Sequence, residues 1–434
     1  MSEERRCDPT DGVAYTFAEL ASFYKGTYTK GAIKEYWEQS CIPMKTKTAA
    51  SKANAKVKAK AKAKAKFRVK AQDADGKDPG AAGLCVAGEA LIDFLPATLA
   101  EGGSAYRGVP GGSPFNCCIA AQRLGIPVSF LGVLSTDLFG EELYGHLARE
   151  GVDMEFVARA GKPSTLAFVS RSKGEGEKYA FFKENSADRS LDKRFVTKAL
   201  SSRRFLGVHM SLGAVTLEHG PCAQSFRKLF QLAGTQRALR SFDPNIRSNI
   251  IKEAPAKYSE RIEAFLRMVD LAKTSEEDME FLYGKGTDVT VQAAKWLKIG
   301  PKLVVITRGA KGAEAFFQRE DAAGAVPSSV TVPPPGERPS TIDAEGKSAP
   351  VVDTVGAGDT FMGGLIAGCL GVEAPGTALL PQLVERKPWD EEAAERLHAV
   401  LARAGLCAAI TCSRAGADPP TAAEVAAAAE RLGK

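Results

Sequence analysis

From Gly83 onward the chain alternates between short apolar runs and longer amphipathic stretches, and no other feature limits its fold so strongly. The runs are "LCVAGEAL", "VSFLGVLS", "RFLGVHMSL", "LRSFDPN", "VDLAKTS" and "KLVVITRG", separated by helical patterns such as "NCCIAAQRLG" and "EELYGHLAREG". Parallel neighbours need long crossovers, and helical crossovers cover both faces of a sheet. The expected fold class is therefore α/β, with a mostly parallel central sheet between helices. One region breaks the pattern: "STLAFVS" and "KYAFFKEN" flank "RSKGEGE", which reads as a hairpin of half-buried strands. An antiparallel piece inside a βα chain suggests a small β-sheet lid on one edge. Residues 318–350, rich in Pro and Ser, read as a strand interrupted by a long surface loop.

Composition removes several function classes. The longest apolar run, "FMGGLIAGCLGV", stops after 12 residues, short of the roughly 20 that span a bilayer. The opening "MSEERRCDPTDG" lacks the basic and apolar regions of a secretory leader, so a cytoplasmic location is expected. Nine scattered cysteines with no CxxC pair point to reduced thiols. The four histidines show no metal-ligand spacing.

The net charge of +6 is not evenly spread: residues 1–80 hold 17 Lys/Arg against 10 Asp/Glu, and the rest is near neutral. Residues 1–44 are expected to form a small helical extension, with Thr16 and Glu19 as a capping box for the first of two short helices. Residues 45–80 form a Lys/Ala-rich linker, with 11 basic residues and no acid between Lys45 and Lys70. Strict alternation of Lys and Ala gives no apolar helical face, so a solvated tether is expected. A nucleic acid or an acidic surface is the alternative partner, although Phe67 is the one aromatic residue there to stack on bases.

In an open parallel sheet, ligands sit at the carboxyl ends of the strands, which turns attention to "DTVGAGDT", residues 353–360. Gly356 and Gly358 at a helix start let backbone N–H groups converge on an anion. Asp359 beside them can take a proton from a hydroxyl attacking a phosphorus held there, or it can simply cap the helix. The local residues leave both readings open. GxxxxGK[ST] is absent, as is a GxGxxG after the first strand, so neither a P-loop ATPase nor a Rossmann dehydrogenase fits.

Distant stretches resolve the choice. "DTVGAGDTF" resembles the C-terminal signature of the ribokinase-like (phosphofructokinase-B type) carbohydrate kinases, and "GGSPFNCCIAAQRLG" resembles their N-terminal one. "GEALIDFLP", "LGVLSTDLFGEEL", "AFFKENSADRSL", "SFDPNIR" and "VVITRGAKG" follow in the family's order, several being most similar to the fructokinase branch. The resemblance implies a kinase domain over residues 81–430, with lid strands within 91–112 and 164–184. It implies ATP-dependent phosphorylation of a sugar hydroxyl, fructose first, with Asp359 as base and Gly356, Ala357 and Gly358 as anion hole. Asp93, Gly111, Gly112 and Asn116 match the sugar side, with Lys183 and the hairpin aromatics helping to set specificity. Lys273, Thr307, Gly309 and Gly312 match the nucleotide side, where Arg247 is a candidate for neutralising phosphate charge. Asp278 is the candidate for Mg2+, with Glu277 as substitute, because "TSEED" departs from the family's NxxE. Asp353 resembles the acid near a monovalent-cation site, which implies K+. Gly405 stands where relatives often carry an asparagine near adenine. A homodimer through the lid is a further expectation. A kinase of 2-keto-3-deoxysugar acids or nucleosides is an alternative within the class. Outside it, the alternative is a non-catalytic relative binding through its basic tail.

Overall fold

The computed structural model describes residues 5–7, 14–23, 34, 37–38, 42–43, 83–98, 103–172, 176–211, 221–248, 251–319, 327–335, 340–372 and 378–433. The chain divides into two compact units, Met1–Lys70 and Ala71–Lys434.

In the first unit, β1 (Arg5–Cys7) pairs antiparallel with both β2 (Ala14–Thr16) and β3 (Ile42–Pro43). Helix α1 (Phe17–Phe23) follows β2 directly. The capping box forms: Thr16 N donates to Glu19 Oε2 at 2.8 Å and Glu19 N to Thr16 Oγ1 at 3.3 Å. A purely helical extension is nevertheless corrected, since Ala14–Thr16 is a strand. Its pairing with Arg5–Cys7 is a non-local contact that local periodicity does not report. Leu20 and Trp37 make a small core, with the Arg6 guanidinium 5.5 Å from the Trp37 ring centre. The basic linker lies outside the described residues.

The second unit is built on a nine-stranded sheet. In chain order its strands are β4 (Leu84–Ala87), β7 (Val128–Ser135), β8 (Val157–Ala160), β11 (Gly207–Ser211), β12 (Leu239–Asp243), β13 (Leu271–Ser275), β14 (Leu303–Thr307), β15 (Ala313–Phe317) and β16 (Ser328–Val332). Their spatial order is β16-β15-β14-β13-β12-β11-β4-β7-β8, parallel from β14 to β8, with β15 and β16 antiparallel. The six apolar runs that alternate with helical patterns are six of the seven strands in the parallel part.

Alternate strand residues feed two cores. Leu84, Val86, Leu271, Leu303 and Val305 pack with α2 (Ser113–Arg123), α9 (Ala357–Leu370) and α10 (Glu391–Cys412). Cys85, Ala87, Ala272, Val304 and Ile306 pack on the opposite face. There α4 (Lys193–Ser202), α5 (Pro221–Thr235), α6 (Pro255–Leu266), α7 (Glu276–Tyr283) and α8 (Val289–Ile299) cover the sheet. Helix α3 (Leu138–Arg149) begins at Asp137, whose carboxylate accepts from Gly140 N and from Ser164 N and Oγ.

A separate four-stranded sheet, β10-β9-β5-β6, comprises β5 (Leu91–Thr98), β6 (Ser104–Gly111), β9 (Thr165–Ser172) and β10 (Gly176–Phe182). Only β5 and β9 run parallel. Period-2 alternation puts Asp93, Ala167, Phe181 and Tyr179 on one face. Phe94, Phe168, Tyr106 and Phe182 cluster on the other, Phe94 stacking on Phe168 at 4.6 Å.

The chain leaves β4 towards β7 and β8, then returns to lay β11 to β14 on the other side. The topological switch therefore falls between β4 and β11, the position of the ligand crevice at the strands' carboxyl ends in an open parallel sheet.

Candidate functional site

Helix α9 begins at that crevice. Gly356 is its N-cap with φ of 75°, and a Cβ there would lie 2.4 Å from the Ala417 Cβ, so only glycine fits this start. Asp359 sits in the first turn, 6% exposed. Its carboxylate does not cap its own helix. Ser113 Oγ donates to Oδ1 at 2.6 Å, Asn116 Nδ2 to Oδ2 at 2.9 Å, and Asn245 Nδ2 to Oδ1 at 3.2 Å. Two of these donors stand in the first turn of α2, and the third follows β12. Three donors from two other elements fix one buried acid, which is an expensive arrangement for a mere helix cap.

Lys273, on β13, is the cation of the crevice. Its ammonium donates to Asp243 Oδ2 at 2.8 Å, both side chains being buried. Burial pushes the Asp243 carboxyl up to about 6, although Lys273 works against the rise. Burial also opposes charge on Lys273, but Asp243 and the nearby Asp359 and Asp278 outweigh it and hold the ammonium protonated. A Cβ on Gly358 would stand 3.3 Å from Lys273 Nζ. The ammonium thus faces the bare start of α9 from the side, adding a full charge to the dipole's partial one.

Asp278 is tied into the chain. It forms a capping box with Ser275 and accepts from Ile246 N at 3.1 Å and from Thr274 Oγ1 at 3.3 Å. It thereby pins the loop that carries Asn245 and Arg247. Glu277 is exposed. Among the described residues no group of three or more His, Cys, Asp or Glu is placed to hold a metal. The Arg247 guanidinium lies 5.5 Å from the ring centre of Tyr179, on the small sheet. Its contact is therefore with the face that carries Asp93.

Asp93 Oδ2 lies only 2.3 Å from where a Cβ on Gly111 would be, so the glycine makes room for the carboxylate. Gly112, at φ 107°, turns β6 into α2. Lys183 is buried just beyond β10, and its carbonyl accepts from Ser186. Beneath the crevice lie Glu89 and Asp188, buried acids missing from the sequence-based set. Burial raises both, Glu89 to about 8.

At the far end of the crevice Thr307 ends β14, its hydroxyl 3.4 Å from the Thr274 carbonyl. Gly309 and Gly312, at φ 51° and 90°, shape the turn to β15, and a Cβ on Gly312 would collide with the Val332 carbonyl at 2.1 Å. Asp353 accepts from the N–H groups of Thr354, Val355 and Gly416, organising the loop ahead of α9. A Cβ on Gly405 would meet no atom within 4 Å.

The structure brings Asp359, Asn116, Lys273 and Gly358 together, and adds Ser113, Asn245 and Asp243. Asp243 and Asn245 lie in "SFDPNIR", but nothing local to that stretch tells which carboxylate or amide faces inward. Ser113 gives no signal beyond its place after the two hinge glycines.

A buried acid, a cation and a bare helix start gathered at the switch point of a parallel sheet are the parts from which phosphoryl-transfer enzymes are made. Residues 81–423 match the model of the pfkB family carbohydrate kinases, and the chain belongs to that family. It is a sugar kinase. Among curated relatives, the fructokinase of Rhizobium leguminosarum bv. trifolii is 37% identical over 284 residues, 65% of this chain and 78% of the relative. Probable fructokinase-2 of Arabidopsis thaliana is 33% identical over 346 residues, 78% of this chain and 92% of the relative. The fold is that of the fructokinase from Xylella fastidiosa with bound ATP (TM-score 0.64, 23% identity, 81% of this chain and 99% of that one).

Proposed function

We propose that this chain transfers the γ-phosphoryl group of ATP to a primary hydroxyl of a ketose, fructose being the first candidate. The observation that carries the reading is the Asp359 carboxylate, fixed by three donors beside the bare N-terminus of α9. The sugar hydroxyl gives its proton to Asp359 as its oxygen bonds to the γ-phosphorus and the bond to ADP breaks. Backbone N–H groups of Gly356, Ala357 and Gly358 steady the charge on the transferring group, and Lys273 adds a fixed positive charge beside them.

Asp93, Gly111, Gly112, Asn116 and Lys183 form the sugar side. Asn245 Oδ1, buried without a donor, offers an acceptor to a hydroxyl next to Asp359. The contact between Arg247 and Tyr179 supports a place on the sugar side, where the guanidinium would still be close enough to share in neutralising phosphate charge. Thr307, Gly309 and Gly312 form the nucleotide side. Magnesium travels with phosphates and keeps most of its waters. Asp278 fits that role: its Oδ1 accepts only from Ile246 N and keeps a lone pair for a hydrated ion, with Glu277 one position away. The ion would neutralise phosphate charge. Asp353 is the candidate acid beside K+.

The same family fold suits other acceptors, so the test is a panel. ADP release is measured with fructose, other ketoses, a 2-keto-3-deoxysugar acid and nucleosides, in potassium and in tetramethylammonium salts. Turnover with fructose at least tenfold above every other acceptor, and faster in potassium, is expected. A preference for the keto acid or a nucleoside overturns the substrate, and equal rates in both salts overturn the potassium site.

A further inference from the structure

Polar contacts continue past Asp359 into the sheet. Ser211 Oγ, at the end of β11, lies 2.8 Å from Ser113 Oγ. His209 Nε2 lies 3.4 Å from Ser211 Oγ, and Ser241 Oγ, on β12, lies 3.1 Å from His209 Nδ1. Ser211 is 1% exposed, and His209 and Ser241 are 0% exposed.

Counting hydrogens gives this line a direction. Each hydroxyl carries one hydrogen and a neutral imidazole carries one. Ser113 already accepts from Asn245 Nδ2 at 2.7 Å. Its own hydrogen goes to the carboxylate, the stronger acceptor at the shorter distance. The hydrogen between Ser113 and Ser211 must then come from Ser211. Ser211, having spent its hydrogen, accepts from His209, which leaves Nδ1 bare to accept from Ser241, whose other acceptor, the Val208 carbonyl, is farther away at 3.5 Å. Burial and the nearby Lys273 charge hold His209 down to about 3 against the opposing pull of the Ser241 backbone, so the ring stays neutral throughout the working range.

We propose that Ser241, His209, Ser211 and Ser113 form a one-way hydrogen-bond relay whose donors all point at Asp359. His209, as the Nε2–H tautomer, is then a positioning residue for the base. The proposal rests on the reading of Asp359 as base. The relay assigns Ser113 its hydrogen, and successive donors polarise one another. Hydrogen bonds to a charged form favour that form, so the relay keeps Asp359 ionised and aimed. The other titratable groups around Asp359 are Glu89 after β4, Cys117 on α2, Asp243 and Arg247 at and after the end of β12, and Lys273 on β13. None of these is removed by a change at Ser211.

Two measurements test it. In the full-length protein with 15N-labelled histidine, long-range proton–nitrogen correlations report the tautomer, His209→Gln assigning the signal. The Nε2–H form, unchanged from pH 6 to pH 8.5, is expected, and an Nδ1–H or charged ring overturns the relay. In Ser211→Ala, the acid limb of the pH profile of kcat should move up by about half a pH unit, the size of a weakened hydrogen bond to a charged acceptor. An unmoved limb in a folded variant also overturns it. If Ser211→Ala does not fold, the tautomer alone decides. Failure of the base itself shows separately, as undiminished turnover in Asp359→Asn with the tautomer as expected.

Discussion

At the scale of single residues, the site is a set of burial costs held in balance. Lys273, 2.8 Å away, works against the burial that raises Asp243, and three donors meet the Asp359 carboxylate. Glu89 has less support: it is 1% exposed, its own backbone N–H and Arg247 favour its charge, and its Oε2 accepts no hydrogen bond. Burial lifts its carboxyl from the usual 4.5 to about 8, with Asp188 and Asp359 adding to the rise. Between those two values the folded chain holds a proton that the unfolded chain has released. Stability from this group is therefore full below the unfolded value and is lost as pH rises through the folded one. Glu89→Gln cannot titrate, so it should flatten the fall of unfolding free energy between pH 5 and 8 by up to about 1 kcal/mol per pH unit. Urea titrations of both proteins across that range check this, and parallel slopes would contradict it.

At the scale of elements, the start of α9 does the positioning. Gly358 has ordinary helical backbone, and a methyl there meets only Lys273 Nζ, at 3.3 Å. Gly358→Ala should fold at least as well, since alanine favours helix. It should nonetheless lose about 10²-fold in kcat, the usual effect of impairing one donor of an anion hole. Unchanged kcat with a normal melting temperature would remove the helix start from the chemistry. The elements themselves were largely legible in the sequence, because periodicity is a local property. The β9–β10 hairpin and the capping box at Thr16 formed where the residues indicated. The strand Ala14–Thr16 did not show, because its partner, Arg5–Cys7, is only three residues long. Ser113 and Asp359 are 246 positions apart, and their contact exists only once α2 and α9 pack. The chemical residues in motifs could thus be named early, whereas the residues that orient them could not.

At the scale of the whole molecule, the N-terminal unit ends at Lys70 and the family match begins at residue 81. The site draws only on residues beyond 88. Removing residues 1–80 should leave kcat and KM for the sugar within about twofold, because every residue of the site belongs to the second unit. Loss of activity in a folded fragment would give the extension a part in catalysis. Asp359 stands where α2, α9 and the loop after β12 meet. Asp359→Asn keeps the volume and can still accept from Ser113, so its melting temperature should stay close to the parent's. Its turnover in the ADP-release assay should fall by about 10³-fold or more, within the range for loss of a general base. Turnover equal to the parent's would contradict the account.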